Sequence, residues 1–395
     1  MKNKKKLTIG LFNDSFYPMI DGVISVVHNY AINLLKYANV IVFVPYYPGK
    51  KYDDSTLPYK VVRCKSINIP YGDYPWPQPN FDKLFLQELE NCHLDIVHIH
   101  SPFGLGKMGI KYAKKHNIPV IATMHSQFKQ DFKRAVKIDF LANILTKSRI
   151  KIFNKCDECW AVNSEVARIF YEDYGYKELP KVMNNATEMK LIPNNSSLLK
   201  EINNKYKIVK DEKVFLFVGR LNKLKGVLFL VNSLKVLKEK NPLFKFKMLF
   251  VGSGQDEDEL KELVKNFKMN NEIIFCGRVS DRNLLGAFYK RADLFLFPSL
   301  YDASSIVQIE AASQKTPTLF LEGAATTATV TNNQNGYIIE NDIEKYADKI
   351  MDIINNEKDY LKVCENAYKE LYVNWEDKIQ EVLELYQNII DKKNH

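Results

Sequence analysis

Two carboxylates bracket the start of one helix in the stretch from Phe297 to Ala311, and their spacing suggests ligand chemistry. The apolar run Asp293 to Phe297 reads as a buried strand, and Pro298 stops it. Ser304 and Ser305 can cap the helix that follows, and Ser305 with Gln308 three residues on forms a capping-box pattern. Asp302 falls in the loop before the helix, and Glu310 lies about a turn and a half inside it. Amides at Ser304, Ser305 and Ile306 would point out of the helix start, where an anion is favoured. A carboxylate, a nest of amides and a second carboxylate suit a ligand with hydroxyls at both ends and phosphates between. A nucleotide sugar has that layout.

Two cations stand in a second turn, Gly219-Arg220-Leu-Asn-Lys-Leu-Lys225-Gly226, after the apolar run Val214 to Val218. Placed between a strand end and a helix start, Arg220 and Lys225 can neutralise a diphosphate leaving group. Lys223 between them reads as solvated. Gly22 opens a helix after a strand and a loop containing Pro18, and a glycine there lets a phosphate approach the backbone. His125 follows the strand Val120 to Thr123, in the position where open α/β sheets bind ligands, although a lone histidine is more often structural. His98 and His100, in Val-His-Ile-His, are read as pointing to opposite faces of a strand and so as poor partners for a shared metal. Gly104-Leu-Gly106-Lys-Met-Gly109 matches the dinucleotide fingerprint, but no acidic residue ends the next strand. Those glycines are expected to serve as helix-packing and loop positions, with acceptor contact left open. Cys156-Asp-Glu-Cys159 lacks a second pair and reads as buried structural thiols.

The elements that must position these groups alternate along the chain. Strand signals at Leu7–Phe12, Val40–Val44, Lys60–Arg63, Asp95–His100 and Pro119–Thr123 are interleaved with helical patterns at Val23–Tyr37 and Gly104–His116. A second set runs from Val214–Val218 through Val227–Lys238, Phe246–Val251, Asp256–Phe267, Glu272–Cys276 and Asp281–Lys290 to Asp293–Phe297. Repeated strand–helix–strand units imply parallel sheets covered on both faces. Ile69 to Asn80 holds Pro70, Gly72, Pro75, Pro77 and Pro79 and must be irregular; Asn184 to Asn204 is polar and reads as the linker region. The expected division is a first domain over residues 1–190, a second over 191–374 and a terminal helix over 375–395.

The Pro298 to Glu310 segment resembles the E-x7-E region of the retaining glycosyltransferases of family four. Arg220 with Lys225, and the His-Ser-Pro-Phe run at His100 to Phe103, strengthen the likeness, the latter toward lipid and cell-envelope members. The first Glu of the pattern is replaced here by Asp302, one methylene shorter, and Ser304-Ser305 stands where a glycine is more usual. The resemblance implies the GT-B fold: two doubly wound Rossmann-like domains facing across a deep cleft, with the terminal helix returning to the first. It also implies a nucleotide-sugar donor, a UDP-hexose such as UDP-glucose. Glu310 would bind the ribose. Arg220, Lys225 and the amides near Ser304, Ser305 and Ile306 would hold the diphosphate, with Gly22 facing it. Arg278 and Val279 would frame the base, and Asp302 and His125 would orient the sugar. No cofactor or metal is expected, since two cations can neutralise the leaving group.

Composition sets the outer bounds. A chain of 395 residues with 46% hydrophobic content is globular and large enough for two cores. The six scattered cysteines, the lack of a secretory leader pattern after the basic Met1–Lys6 and the lack of any span-length apolar run lead us to expect a cytoplasmic protein, peripheral on the inner face of the membrane. The net charge is +9, and the excess lies in residues 1–200, with 28 Lys and Arg against 18 Asp and Glu. Residues 128–155 concentrate it: Phe128, Phe132, Val136, Phe140 and Ile144 recur every four residues among lysines and arginines. Such a helix suits an anionic membrane surface, although packing on its own domain would explain it equally. Nucleic acid is not expected as a partner, because no binding module accompanies the charge. The acceptor is therefore expected to be a membrane lipid or lipid-linked glycan. Two rivals remain: a catalytically silent homologue acting as a partner subunit, and a dinucleotide-dependent oxidoreductase built on Gly104 to Gly109.

Overall fold

The computed structural model describes residues 6–69 and 74–394. The basic run at residues 1–5 and the loop positions Pro70 and Gly72 lie outside them. The chain forms two compact units. Residues 1–185 with 375–395 make one, and residues 186–374 make the other.

The first unit is built on strands β1 (Thr8–Phe12), β2 (Asn39–Pro45), β3 (Lys60–Cys64), β6 (Ile96–Ile99), β7 (Val120–Met124), β8 (Glu158–Ala161) and β9 (Lys181–Val182). They lie in the order β3-β2-β1-β6-β7-β8-β9, and every pairing is parallel. The short hairpin β4 (Ser66–Ile67) and β5 (Trp76–Pro77) stands apart, inside the segment expected to be irregular. Helices α1 (Gly22–Leu34), α2 (Lys83–Asn91), α3 (Gly104–His116), α4 (Phe128–Val136), α5 (Asp139–Phe153) and α6 (Ser164–Arg168) connect and cover the strands. Strands such as Thr8–Phe12, buried along their whole length, are apolar on both faces because helices cover both.

The second unit orders β10 (Lys213–Val218), β11 (Phe246–Val251), β12 (Ile273–Gly277), β13 (Leu294–Phe297), β14 (Thr318–Leu321) and β15 (Tyr337–Ile339) as β12-β11-β10-β13-β14-β15, again all parallel. Around them lie α7 (Ser197–Lys205), α8 (Val227–Lys240), α9 (Glu257–Asn266), α10 (Arg282–Arg291), α11 (Ile306–Ser313), α12 (Ile343–Asn355) and α13 (Glu357–Leu371). Phe215, Phe217, Phe250 and Phe297 are buried at its centre. The polar segment expected to be linker contains α7. Ser196 caps it, accepting from Leu198 N at 3.3 Å, and Leu198, Leu199 and Ile202 pack on the second core. Three apolar side chains on one face were enough to hold this helix against its Asn-rich surroundings.

Helix α14 (Trp375–Asn394) belongs to the first unit and packs on α1. Its Tyr386 and Trp375 enter a buried aromatic cluster with Tyr30, Trp160, His98 and His100. Here the expectation for the two histidines is overturned. They lie on one side of β6 with ring centroids 4.2 Å apart, because residues two apart along a strand share a face. His98 is fully used: Nδ1 shares a hydrogen bond with Tyr386 Oη at 2.6 Å, and Nε2 one with Thr123 Oγ1 at 2.7 Å. Burial, with a smaller contribution from His125, pushes its pKa down to about 3. The ring is therefore neutral at pH 7 and makes both bonds without charge.

Two outcomes follow. Tyr386→Phe leaves His98 Nδ1 buried without its partner, which should cost about 1–3 kcal/mol in urea unfolding at pH 7. Below pH 6.5 the unfolded chain protonates His98, whereas the native state resists until pH 3. The stabilising contribution is therefore complete above pH 6.5 and is lost as pH falls through that window. Between pH 7 and pH 5 the wild type should lose about 2 kcal/mol more than a His98→Asn variant. Equal losses would show that this histidine does not carry the pH dependence.

Candidate active site

In the second sheet the strand order reverses between β10 and β13, and their carboxyl ends leave side by side. Such a switch point is where open α/β sheets bind ligands. The turn after β10 carries Arg220 and Lys225; the loop after β13 carries Asp302, Ser304 and Ser305. Gly226 holds the two together. Its φ is +71°, and a Cβ there would meet Pro298 O at 2.6 Å, so only glycine lets the turn close on the neighbouring loop. Asn222 fixes the turn by accepting from Lys225 N at 3.2 Å. Lys225 Nζ is thereby brought onto Asp302 Oδ1 in an ion pair less than one-fifth exposed. Asp302 Oδ2 accepts from Ser299 Oγ at 2.6 Å. Arg220 follows on the same strand end and is exposed; Lys223 pairs at the surface with Glu259, 2.8 Å away.

Helix α11 starts at Ile306, with Ser305 in extended conformation at the cap position. The expected capping box does not form. The Ser305 side chain makes no capping bond, and Gln308 Nε2 instead donates to Thr329 Oγ1 at 3.3 Å. A tertiary partner within reach outcompeted the local one. Glu310, on the second turn, is 3% exposed. Its Oε1 accepts from Arg282 Nη2 at 2.5 Å and its Oε2 from Tyr289 Oη at 2.9 Å. Neither partner was recognised in the sequence, since Arg282 reads as one more charged residue at a helix start and Tyr289 as core. Arg278 and Val279, just past β12, line a cleft of about 230 Å³ whose other wall is Ile202, Lys205 and Tyr206 near the end of α7.

In the first unit the switch point lies between β1 and β6. Gly22 begins α1, and a Cβ there would have nothing within 4 Å; the helix start itself is capped by Asp21, which accepts from Ile24 N at 2.8 Å and from Tyr74 Oη at 2.5 Å. His125 follows β7. Its Nε2 shares a hydrogen bond with His100 Nδ1 at 3.0 Å, and burial pushes its pKa down to about 3, so it acts as a neutral hydrogen-bonding group.

The dinucleotide fingerprint proves to be a packing device. A Cβ on Gly106 would lie 1.8 Å from Ser101 O. The start of α3, where a pyrophosphate would sit, is taken by the half-buried Asp14 carboxylate, which accepts from Leu105 N at 2.8 Å and Ser101 Oγ at 2.5 Å. Burial pushes the Asp14 pKa up, against the hydrogen bonds from Ser101 and the Leu105, Gly106 and Phe103 amides. Cys156 and Cys159 are buried free thiols.

The basic segment over residues 128–155 breaks at Lys137, where φ is +55°. Phe128 turns inward onto Phe153 and Phe170. Beyond the break, α5 buries Ala142, Thr146, Ile150 and Phe153 and leaves Phe140 71%, Ile138 53% and Ile144 49% exposed. The repeat of four is thus divided between a core end and an exposed apolar edge. Among the described residues no helix is long and apolar enough to cross a membrane.

Comparison with known proteins agrees with this architecture. The alpha-monoglucosyldiacylglycerol synthase of Acholeplasma laidlawii is 24% identical over 409 residues, covering 98% of each chain. The enzyme of the same name from Streptococcus pneumoniae is 26% identical over 321 residues, covering 79% of this chain and 70% of its own. Among solved structures, Anabaena HepE in complex with UDP and glucose superposes with a TM-score of 0.74 at 16% identity, covering 96% of this chain and 99% of HepE, which shows a shared GT-B fold. Residues 20–189 match the profile of Glycosyltransferase Family 4, and residues 200–370 that of Glycosyl transferases group 1. With one profile on each unit, the chain belongs to the family-four glycosyltransferases.

Proposed function

We propose that this glycosyltransferase moves a hexose with retention of configuration from a UDP-sugar, UDP-glucose in the first instance, to a membrane lipid of the diacylglycerol kind or a lipid-linked cell-envelope glycan. The observation that carries the reading is the Lys225–Asp302 pair at the switch point of the second sheet, beside the start of α11. A cation, a helix start and a carboxylate there match the phosphates and the sugar of the donor. Glu310, deeper in the same helix, would take the ribose, while Arg278 and Val279, on the wall of the cleft of about 230 Å³, would frame the base. The names of the two diacylglycerol-glucosylating relatives support the lipid acceptor.

In this reading the diphosphate lies against Arg220, Lys225 and the amides near Ser304, Ser305 and Ile306. The family resemblance would assign Gly22 the position facing it. The bond from the sugar's anomeric carbon to the phosphate oxygen breaks, and the cations and amides stabilise the charge that develops there. The acceptor hydroxyl bonds to the same face of the sugar and passes its proton to the departing phosphate. Asp302, steadied by Ser299, and the neutral His125 hydrogen-bond to the sugar hydroxyls. The two side-chain cations would take the place of a metal in this scheme. The exposed Ile138, Phe140 and Ile144, among Lys133, Lys137 and Lys147, would rest on an anionic bilayer surface and bring the enzyme to its acceptor.

Lys225→Ala removes one charge-assisted contact to the diphosphate, so the Kd for UDP measured by calorimetry should rise about 10- to 100-fold. An unchanged Kd would refute the site. For the acceptor, Phe140→Ser with Ile144→Ser should abolish co-sedimentation with phosphatidylglycerol vesicles while the Kd for UDP stays constant. Incubation of the wild type with UDP-glucose and vesicles containing diacylglycerol should give a glucosylated lipid by mass spectrometry, and free glucose alone would argue against a lipid acceptor.

A further inference from the structure

We infer that Arg282 and Tyr289 are positioning residues that aim Glu310 at a vicinal diol, and so make the site selective for ribonucleotides over their 2′-deoxy counterparts. The inference rests on the reading of Glu310 as the ribose contact. Glu310 is buried on α11, and each of its oxygens already accepts one bond from the protein, Oε1 from Arg282 Nη2 at 2.5 Å and Oε2 from Tyr289 Oη at 2.9 Å. An ionised carboxylate offers about four acceptor positions, two on each oxygen. One on each oxygen is thus left. Two acceptors side by side match two adjacent hydroxyls, and a 2′-deoxy sugar would leave one of them buried and unused.

The two donors are themselves constrained. Tyr289 is fully buried, and burial followed by the charge of Glu310 pushes its pKa well up, so it keeps its proton and donates. Arg282 sits at the first position of α10, where the helix dipole disfavours a cation. What holds it there is a pair of carboxylates. Its Nε donates to Glu188 Oε1 at 2.6 Å while Nη2 reaches Glu310. Burial works against its charge, and the charges of Glu310 and Glu188 outweigh it, so its pKa is raised. The Arg282 side chain is 43% exposed, but its Nη2 end lies on the buried Glu310, and the two carboxylates together orient the guanidinium, which orients the Glu310 carboxylate in turn.

The test uses the full chain and compares UDP with 2′-deoxy-UDP by calorimetry. In the wild type UDP should bind about 10-fold or more tighter than 2′-deoxy-UDP. Arg282→Met and Tyr289→Phe should each shrink that ratio several-fold, mainly by weakening UDP, and Arg282→Lys should restore part of it. In a Glu310→Gln background Arg282→Met should have little further effect. If Arg282→Met fails to fold, Tyr289→Phe and Arg282→Lys carry the test. Equal weakening of both nucleotides, or an undiminished effect in the Glu310→Gln background, would overturn the positioning role. If Glu310→Gln alone leaves the ratio untouched, the ribose reading falls and this inference with it.

Discussion

The second unit depends on how closely two backbones approach at its switch point. Gly226 lies against Pro298 with no room for a side chain, and that contact sets the turn after β10 beside the loop after β13. Everything charged around the start of α11 follows from it. Lys225 can reach Asp302 only because the turn that carries it is drawn onto the next loop, and Asp302 keeps its orientation because Ser299, buried at the end of β13, holds its other oxygen. A larger residue at position 226 would part the loops and separate the pair. The sheet supplies the common edge, and the glycine supplies the distance.

The first unit rests on a different kind of constraint. Its centre is polar and aromatic as well as apolar, with His98 and His100 beneath α1 and α14. Such a centre is stable only where its polar atoms are paired. His98 meets that condition through Tyr386 and Thr123, and His100 shares Nδ1 with His125, whereas His100 Nε2 and Trp375 Nε1 in the same cluster are buried without a hydrogen-bond partner. The same cluster therefore joins the deep core to the one histidine that stands at the strand edge. Neutral rings in this arrangement give His125 a fixed orientation without placing positive charge inside the domain.

Much of the architecture was legible because it is local. Gly104 to His116 and Val227 onward carry helical periodicity between strong stops, and Phe246 to Val251 is a short apolar run of strand length. The dinucleotide fingerprint is a packing pattern, since Gly106 lies against Ser101 and Gly109 against Val97. What escaped was tertiary. The partner of Gln308 is Thr329 rather than Ser305, and no local rule names it. Arg282 and Tyr289 are 28 and 21 residues from Glu310 along the chain. The linker helix α7 is masked by its polar sequence, and one of its asparagines, Asn203, is held by a partner far along the chain, accepting from Arg291 Nε at 2.7 Å. His98 in β6 and His100 just after it share one side because the period of an extended chain puts alternate residues on one face.

The chain leaves the first unit at residue 185 and returns to it at Trp375, and the two crossings are tied by Thr187 N donating to Val373 O at 2.9 Å. This has a bearing on biosynthesis. By the time the ribosome has made residue 374, the second unit has every residue it requires, whereas the first still lacks Trp375 and Tyr386. Its histidine cluster must wait, with Tyr30 and Trp160 uncovered, until α14 has been made. A premature stop within the codons for α14 would therefore harm the unit that was synthesised earliest.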